Sequence, residues 1–399
     1  MDDLVAARII ESLRTGEVPL DLVGYFTVGR AGELSQAIQG LEAAEKGVSG
    51  LCFVNGPYGS GKTHFLGLLR AEALRRHFAV THVVLSSRSC PLDRLQVVFG
   101  ALMAQLNTPD CRDKPAFRSV LNAYIAMAER ELITTGLASR PCRHPSCGSY
   151  LTCGYGCFAE LLTKTLAADG PLTTGFHIVL TAYFNANRSN DQAGMRLCER
   201  WLLGQPLPAN ERRTISRLAR ITQRIESISN ESALSSFGDA AGFLRAVGYR
   251  GLLLMLDEAE MMPSAGRAGM TQSFLNLVSL MAFCKQWRNI LCVYATTPFF
   301  DNVFRMQLGS LNVDVGVKEW LTERYQANQI VLSIPERRDL VQLASSIYSI
   351  YEAAFGAHRL PGQSWLAEES QAMLNQMTAR DNTRDFVTGF IGRMDRALQ

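Results

Sequence analysis

The chain lacks a strong charge of either sign. Its 399 residues carry a formal net charge of only +3, so global charge is no argument for a nucleic acid or membrane surface as partner. It lacks an apolar run of membrane-spanning length, which argues against a membrane partner. Its start, Met1-Asp2-Asp3, is acidic and leads into an amphipathic helix pattern, unlike a secretory signal. Internal repeats and low-complexity segments are absent, which excludes solenoids and disordered tracts. Most of the ten cysteines, such as Cys52, Cys284 and Cys292, stand alone in apolar segments. Isolated thiols suit a reducing compartment, and the expected location is the cytoplasm. What remains is an ordinary globular composition, 47% apolar and 19% charged, long enough for two or three structural units.

What is present begins at Leu51-Cys52-Phe53-Val54, a short apolar run followed by Gly56-x-x-x-x-Gly61-Lys62-Thr63. Gly56, Gly59 and Gly61 permit backbone angles that a side chain would forbid. Their N–H groups can then converge on a β-phosphate, helped by the positive end of a helix starting near Lys62. Lys62 is the candidate for the β- and γ-phosphates, and the Thr63 hydroxyl for Mg²⁺. The candidate nucleotide contacts are thus Gly56, Pro57, Tyr58, Gly59, Ser60, Gly61, Lys62 and Thr63, with His64 directly after. This implies ATP and Mg²⁺ as ligands.

A second half comes from Gly251-Leu-Leu-Leu-Met-Leu-Asp257-Glu258-Ala-Glu260. The apolar run predicts a buried parallel strand. Asp257 at its end is the second candidate for Mg²⁺, and Glu258 the candidate general base for the attacking water. Glu260 reads as a solvated acid. A further strand over 290–295 ends in Thr296-Thr297-Pro298. Thr297 is the first candidate for a γ-phosphate sensor and Thr296 the second; both also read as strand-end turn residues. Arg324, before a strand over 329–334, is a candidate arginine finger for a neighbouring subunit's ATP, with Arg305 as alternative and a solvated arginine as the plain reading. Asn382-Thr383-Arg384-Asp385 opens a helix capped by Thr383 or Asn382. A cation at Arg384 opposes the helix dipole slightly, so Arg384 is either a second phosphate sensor or an ordinary surface residue.

This order resembles the AAA+ ATPases, nearest the branch of replication initiators and STAND ATPases. Within it, Phe26-Thr27-Val28-Gly29-Arg30-Ala31-Gly32-Glu33-Leu34 resembles the branch's Val-Gly-Arg-x-x-Glu-Leu box, which implies that Val28 and Gly29 pack against adenine. Arg8-Ile-Ile-Glu-Ser-Leu-Arg14, Gly59-Ser-Gly-Lys-Thr-His-Phe-Leu66, Pro91-Leu-Asp-Arg-Leu-Gln96 and Arg200-Trp-Leu-Leu-Gly204 resemble the BREX ATP-binding family (BrxC/BrxD type) of bacterial phage defence. The length is closer to the shorter BrxD-type members. The resemblance implies ATP hydrolysis at subunit interfaces, a ring such as a hexamer, DNA, and a helicase or nuclease partner. A STAND-like scaffold, gated by nucleotide with slow hydrolysis, is the alternative. The sequence departs from the family in its Ala-Thr-Thr-Pro sensor position and over residues 110–170.

The expected fold is α/β, an AAA+ core with a parallel sheet. Its parts are a helical lead (1–23), the core (24–335) with a helical insertion at about 92–245, and a helical lid (336–399). Leu340, Leu343, Ile347 and Ile350 give the lid its helical period. After it there is no clear room for a winged helix. Within the insertion, Arg213, Arg217, Arg220 and Arg224 recur on one face of a helix extending past residue 224, opposite Ile215, Leu218, Ile221, Ile225 and Ile228. That stripe is either a solvated face or a contact for phosphates or an acidic partner. Cys142, His144, Cys147, Cys153 and Cys157 form a cluster that reads as a Zn²⁺ site or as a cysteine-containing loop. Its spacing lacks paired Cys-x-x-Cys knuckles.

Overall fold

The computed structural model describes residues 1–112, 115–136, 172–259, 266–378 and 382–398. The Cys142–Cys157 cluster with His144, and Glu260, lie outside the described residues. In chain order the elements are α1 (Asp3–Arg14), α2 (Ala31–Glu45), β1 (Gly50–Asn55), α3 (Lys62–Arg75), β2 (Ala79–Val84), α4 (Leu95–Ala104), α5 (Phe117–Thr134), α6 (Thr174–Arg188), α7 (Gln192–Leu202), α8 (Ala209–Leu218), α9 (Ala233–Val247) and β3 (Leu252–Asp257). They continue with α10 (Gly266–Phe283), β4 (Ile290–Thr296), α11 (Pro298–Ser310), α12 (Val315–Ala327), β5 (Gln329–Val331), α13 (Arg337–Phe355), α14 (Gln363–Gln376) and α15 (Thr383–Ala397).

The fold is α/β, with five strands in the order β2-β3-β4-β1-β5. β2 pairs with β3 in parallel over six residues, Ala79 opposite Leu252 through Val84 opposite Asp257. β1 pairs with β5 in parallel, Phe53 opposite Gln329. Every residue of β3 is buried, which is why its sequence is an unbroken apolar run instead of an alternation. Two strands are short, the second of them ending before the expected residue 334. β2 ends at Val84, after which Ser86 bridges to Cys90 instead. β5 ends at Val331. Leu332 N–H still bonds Asn55 O (2.7 Å), but the Ser333 carbonyl is taken by an arginine and Pro335 has no N–H to donate.

The chain divides into two compact units. One comprises Met1–Gln39, Cys52–Glu72 and Tyr294–Gln399. Its helical core joins α1 to α13, α14 and α15, through Ile9, Ile10 and Leu13 of α1 and Leu343, Ile347, Tyr351, Phe386 and Phe390. The helix expected as a lead therefore shares a core with those expected as a lid. Capping boxes start α13 (Glu336 with Asp339) and α15 (Asn382 with Asp385), fixing where both begin. An aromatic group of Phe53, Tyr294, Phe300 and Tyr325 packs under β1.

The other unit comprises Gly40–Leu51 and Ala73–Val293. Six helices, α4 to α9, stand between β2 and β3 among the described residues. They pack through Phe99, Phe237 and Trp287, and through Tyr124, Phe176 and Phe243. The arginine stripe expected on one long helix does not form. α8 ends at Leu218, and Arg220 takes a left-handed φ of 55°. Ile221 N–H returns to Ser216 O (3.0 Å), and the Ser216 hydroxyl donates to Gln223 O (2.8 Å). The chain reverses there, and Ile225 and Ile228 are buried outside any helix.

Candidate functional site

In the first unit, the loop after β1 depends on glycine for two reasons. Gly59 and Gly61 have φ of 78° and 86°, where other residues are strained. At Gly56 the limit is space: a Cβ there would lie 2.4 Å from Ser60 Oγ and 3.1 Å from the Leu332 carbonyl. Gly56 N–H donates to Thr296 O (3.2 Å), fixing where the loop leaves the strand. Lys62, the first residue of α3, is buried and donates to Gly56 O (3.1 Å). Thr63 follows it, half-buried.

Among the described residues of this unit, the buried hydroxyls without a hydrogen-bond partner include one in the loop and one at the strand end beside it. Ser60 Oγ in the loop and Thr296 Oγ1 at the end of β4 have no hydrogen-bond partner. Leaving such a group unmade costs about 1–3 kcal/mol, a cost that a ligand oxygen bonding it would remove. Thr297 lies one position further, as N-cap of α11, half-buried and making no side-chain cap bond.

The Val-Gly-Arg box closes the loop from one side. Gly29 and Arg30 both have left-handed φ, 64° and 69°. This turns the Arg30 side chain inward, only 11% exposed. Its Nη2 donates to Ser60 O (2.8 Å) and Ser333 O (2.6 Å), and Nη1 pairs with Glu33 (2.9 Å). Spacing alone does not reveal this inward turn of Arg30. Val28 packs on the helical core.

His64 also meets the box. Thr27 Oγ1 donates to Val23 O (2.7 Å), so it accepts from His64 Nε2–H (2.9 Å). That bond selects the Nε2–H tautomer. Phe26 packs edge-on at 5.0 Å. Burial, and then the Arg30 charge, push the imidazole pKa down to about 4, keeping the ring neutral at physiological pH.

From the C-terminal helices, Asn382 caps α15 by accepting from Arg384 N–H (2.9 Å) and Asp385 N–H (3.4 Å). It sits against the loop: a Cβ on Gly59 would meet Asn382 Cβ at 2.3 Å. Arg384 Nη1 donates to Tyr58 OH (3.0 Å), with its guanidinium 5.7 Å from that ring. Arg324, on α12, stacks 5.5 Å over Trp320, and its Nε is buried without a partner. Arg305, on α11, is exposed.

In the second unit, Asp257 ends β3 at 1% exposure. Its Oδ1 accepts from Glu258 N–H (2.9 Å), and Oδ2 lies 3.5 Å from His82 Nε2. Glu258, half-buried, is a non-glycine residue with φ of 56°. Such strain costs about 1–3 kcal/mol. It turns the backbone sharply just after the strand.

A glycine-built loop between a buried strand and a helix, with a buried lysine and unbonded hydroxyls, fits the phosphates of a nucleotide. The α/β fold and this loop define a class: the chain is compatible with a phosphate-loop nucleoside triphosphatase. It belongs to the BREX system ATP-binding protein BrxC/D family, which it matches over residues 2–399. No curated protein and no solved structure matches it. Among the described residues no helix is long and apolar enough to cross a membrane.

Proposed function

We propose that the chain is an AAA+ ATPase that hydrolyses ATP with Mg²⁺ and acts on DNA, with a helicase or nuclease partner, in the bacterial cytoplasm. The strand order β2-β3-β4-β1-β5 supports the AAA+ reading, since an extra strand stands in the order between the loop-bearing β1 and the acid-bearing β3. In this reading the loop amides, Ser60 and Lys62 hold the phosphates, while Val28 and Gly29 lie against adenine. Thr63 and Asp257 would hold Mg²⁺, which supplies charge neutralisation when bound. Glu258 takes the proton of the attacking water. Thr296 and Thr297 are both kept as sensor candidates, and the buried, unbonded hydroxyl of Thr296 favours that residue. Arg324 reaches the ATP of a neighbouring copy in a ring such as a hexamer; its unpartnered Nε supports a role beyond packing. Arg384 turns from Tyr58 to the phosphates.

The single observation that carries the reading is the loop's cradle, with Gly56 closed to any Cβ and Ser60 buried unbonded. The test is Glu258→Gln. ATP affinity should hold while single-turnover hydrolysis falls roughly 10²–10⁴-fold, the span of general-base catalysis. Undiminished turnover would remove Glu258 from the role. A STAND-like switch is the second reading, favoured by the Arg384–Tyr58 contact, which ties the α15 start to the loop. ATP-driven assembly with negligible turnover by the unaltered chain would select it.

A further inference from the structure

The reversal at Arg220 does more than end a helix. It brings Arg224 beside the first turns of α8, and a pocket forms there lined by Ala209, Arg212, Arg213, Ser216, Arg224 and Glu226. The lining carries three arginines against one glutamate. Arg212 is fixed as a wall: Nη1 donates to Leu207 O (3.1 Å) and Ser227 Oγ (3.5 Å), and Nη2 pairs with Glu226 (3.2 Å). Arg213 and Arg224 are exposed and have no hydrogen-bond or ion-pair partner among the described residues. The Ser216 hydroxyl, committed to Gln223 O, holds the shape.

A second feature points the same way. The pocket lies at the N-terminal end of α8, where Pro208 is the N-cap and no side chain caps the first turn. The free N–H groups there carry a partial positive charge and favour an anion. Glu211 in that turn is neutralised elsewhere, paired with Arg200 (3.0 Å). Two free guanidinium forks beside an uncapped helix start are the donor set for a tetrahedral oxyanion, because each fork binds two oxygens at once.

We propose that this pocket binds phosphate, supplied either by a nucleic-acid backbone or by a free phosphate anion. The first source deepens the proposed action on DNA by naming a contact for it. Its test needs no ATP turnover, so the pocket and the ATPase reading fail separately. The full chain, without nucleotide, is titrated with a fluorescein-labelled DNA duplex by anisotropy across a salt series. Inorganic phosphate and pyrophosphate are titrated in parallel by calorimetry.

For the backbone source, the double variant Arg213→Gln/Arg224→Gln lowers the slope of log affinity against log salt by about 2, roughly one per lost phosphate contact. Arg224→Lys retains most of the slope, because its charge is kept. Arg217→Gln, on α8 but outside the pocket and bonded to Thr214, changes it less than the double variant does. For the free source, calorimetry gives saturable phosphate or pyrophosphate binding that the double variant loses, with no change in the DNA slope. Equal DNA slopes and equal phosphate isotherms in wild type and double variant overturn the proposal. So does a wild type that binds neither DNA nor phosphate.

Discussion

The ends of β1 and β3 both turn through left-handed backbone, by opposite means. After β1 the turn is made by Gly59 and Gly61, where no Cβ objects, and is held from outside by Arg30. After β3 it is made by Glu258, a residue with a Cβ, and held by the preceding side chain, Asp257 Oδ1 on Glu258 N–H. The first end is relaxed and clamped. The second is strained and self-braced. Where only backbone amides are needed, glycine gives the shape at little cost. Under the proposed function a carboxylate acts at the turn itself, so glycine is not available there and the strain is retained.

The largest effect should come from removing the clamp. Arg30→Met leaves Ser60 O and Ser333 O without their donor and the half-buried Glu33 without its pair, a loss of about 1.5–3 kcal/mol as for other hydrogen bonds to a charged group. A drop of that size in urea-unfolding free energy, with weakened ATP binding, is expected; unchanged ATP affinity would mean the loop keeps its shape without Arg30. Next is Thr296→Val. Deleting a hydroxyl that bonds nothing in the protein should leave the thermal midpoint level or raised, while ATP turnover falls about tenfold, or ~1.4 kcal/mol of barrier. If Thr297→Val gives the fall instead, the sensor is the cap residue.

At the strained end, Glu258→Gly should be more stable than Glu258→Gln by about 1 kcal/mol in urea, because glycine relieves the left-handed backbone. Equal stabilities would mean that β3 ends without strain and would erase the contrast with β1. The smallest effect is Tyr58→Phe. It removes one exposed hydrogen bond to Arg384, worth about 0.5–1.5 kcal/mol, and should move ATP affinity by only a few-fold in a fluorescent-nucleotide titration.

Much of the site was legible because its elements are local. Gly56 to Thr63 is one continuous stretch with its strand and helix attached, and β3 announces itself by an apolar run ending in Asp257. Local chemistry also named the α15 cap, where Asn382 takes the task over Thr383. The clamping role of Arg30 is not legible in the sequence, because its partners, Ser60 and Ser333, lie far along the chain. The arginine stripe misled for a related reason. Periodicity carries on past Leu218, but the helix is stopped by Ser216 bonding Gln223 and by a left-handed Arg220, with no glycine or proline to announce it. Side-chain bonds across a reversal are invisible to a repeat of 3.6.

The Arg30–Ser333 bond joins positions 303 apart in the chain. During synthesis at ~5–20 residues per second, roughly 15–60 s separate the appearance of these two residues. Until Ser333 emerges, the phosphate loop lacks one of the groups that orient its clamp, even though every residue of the loop has been made. The nascent protein is thereby kept from a finished loop until most of these 399 residues are available to fold with it.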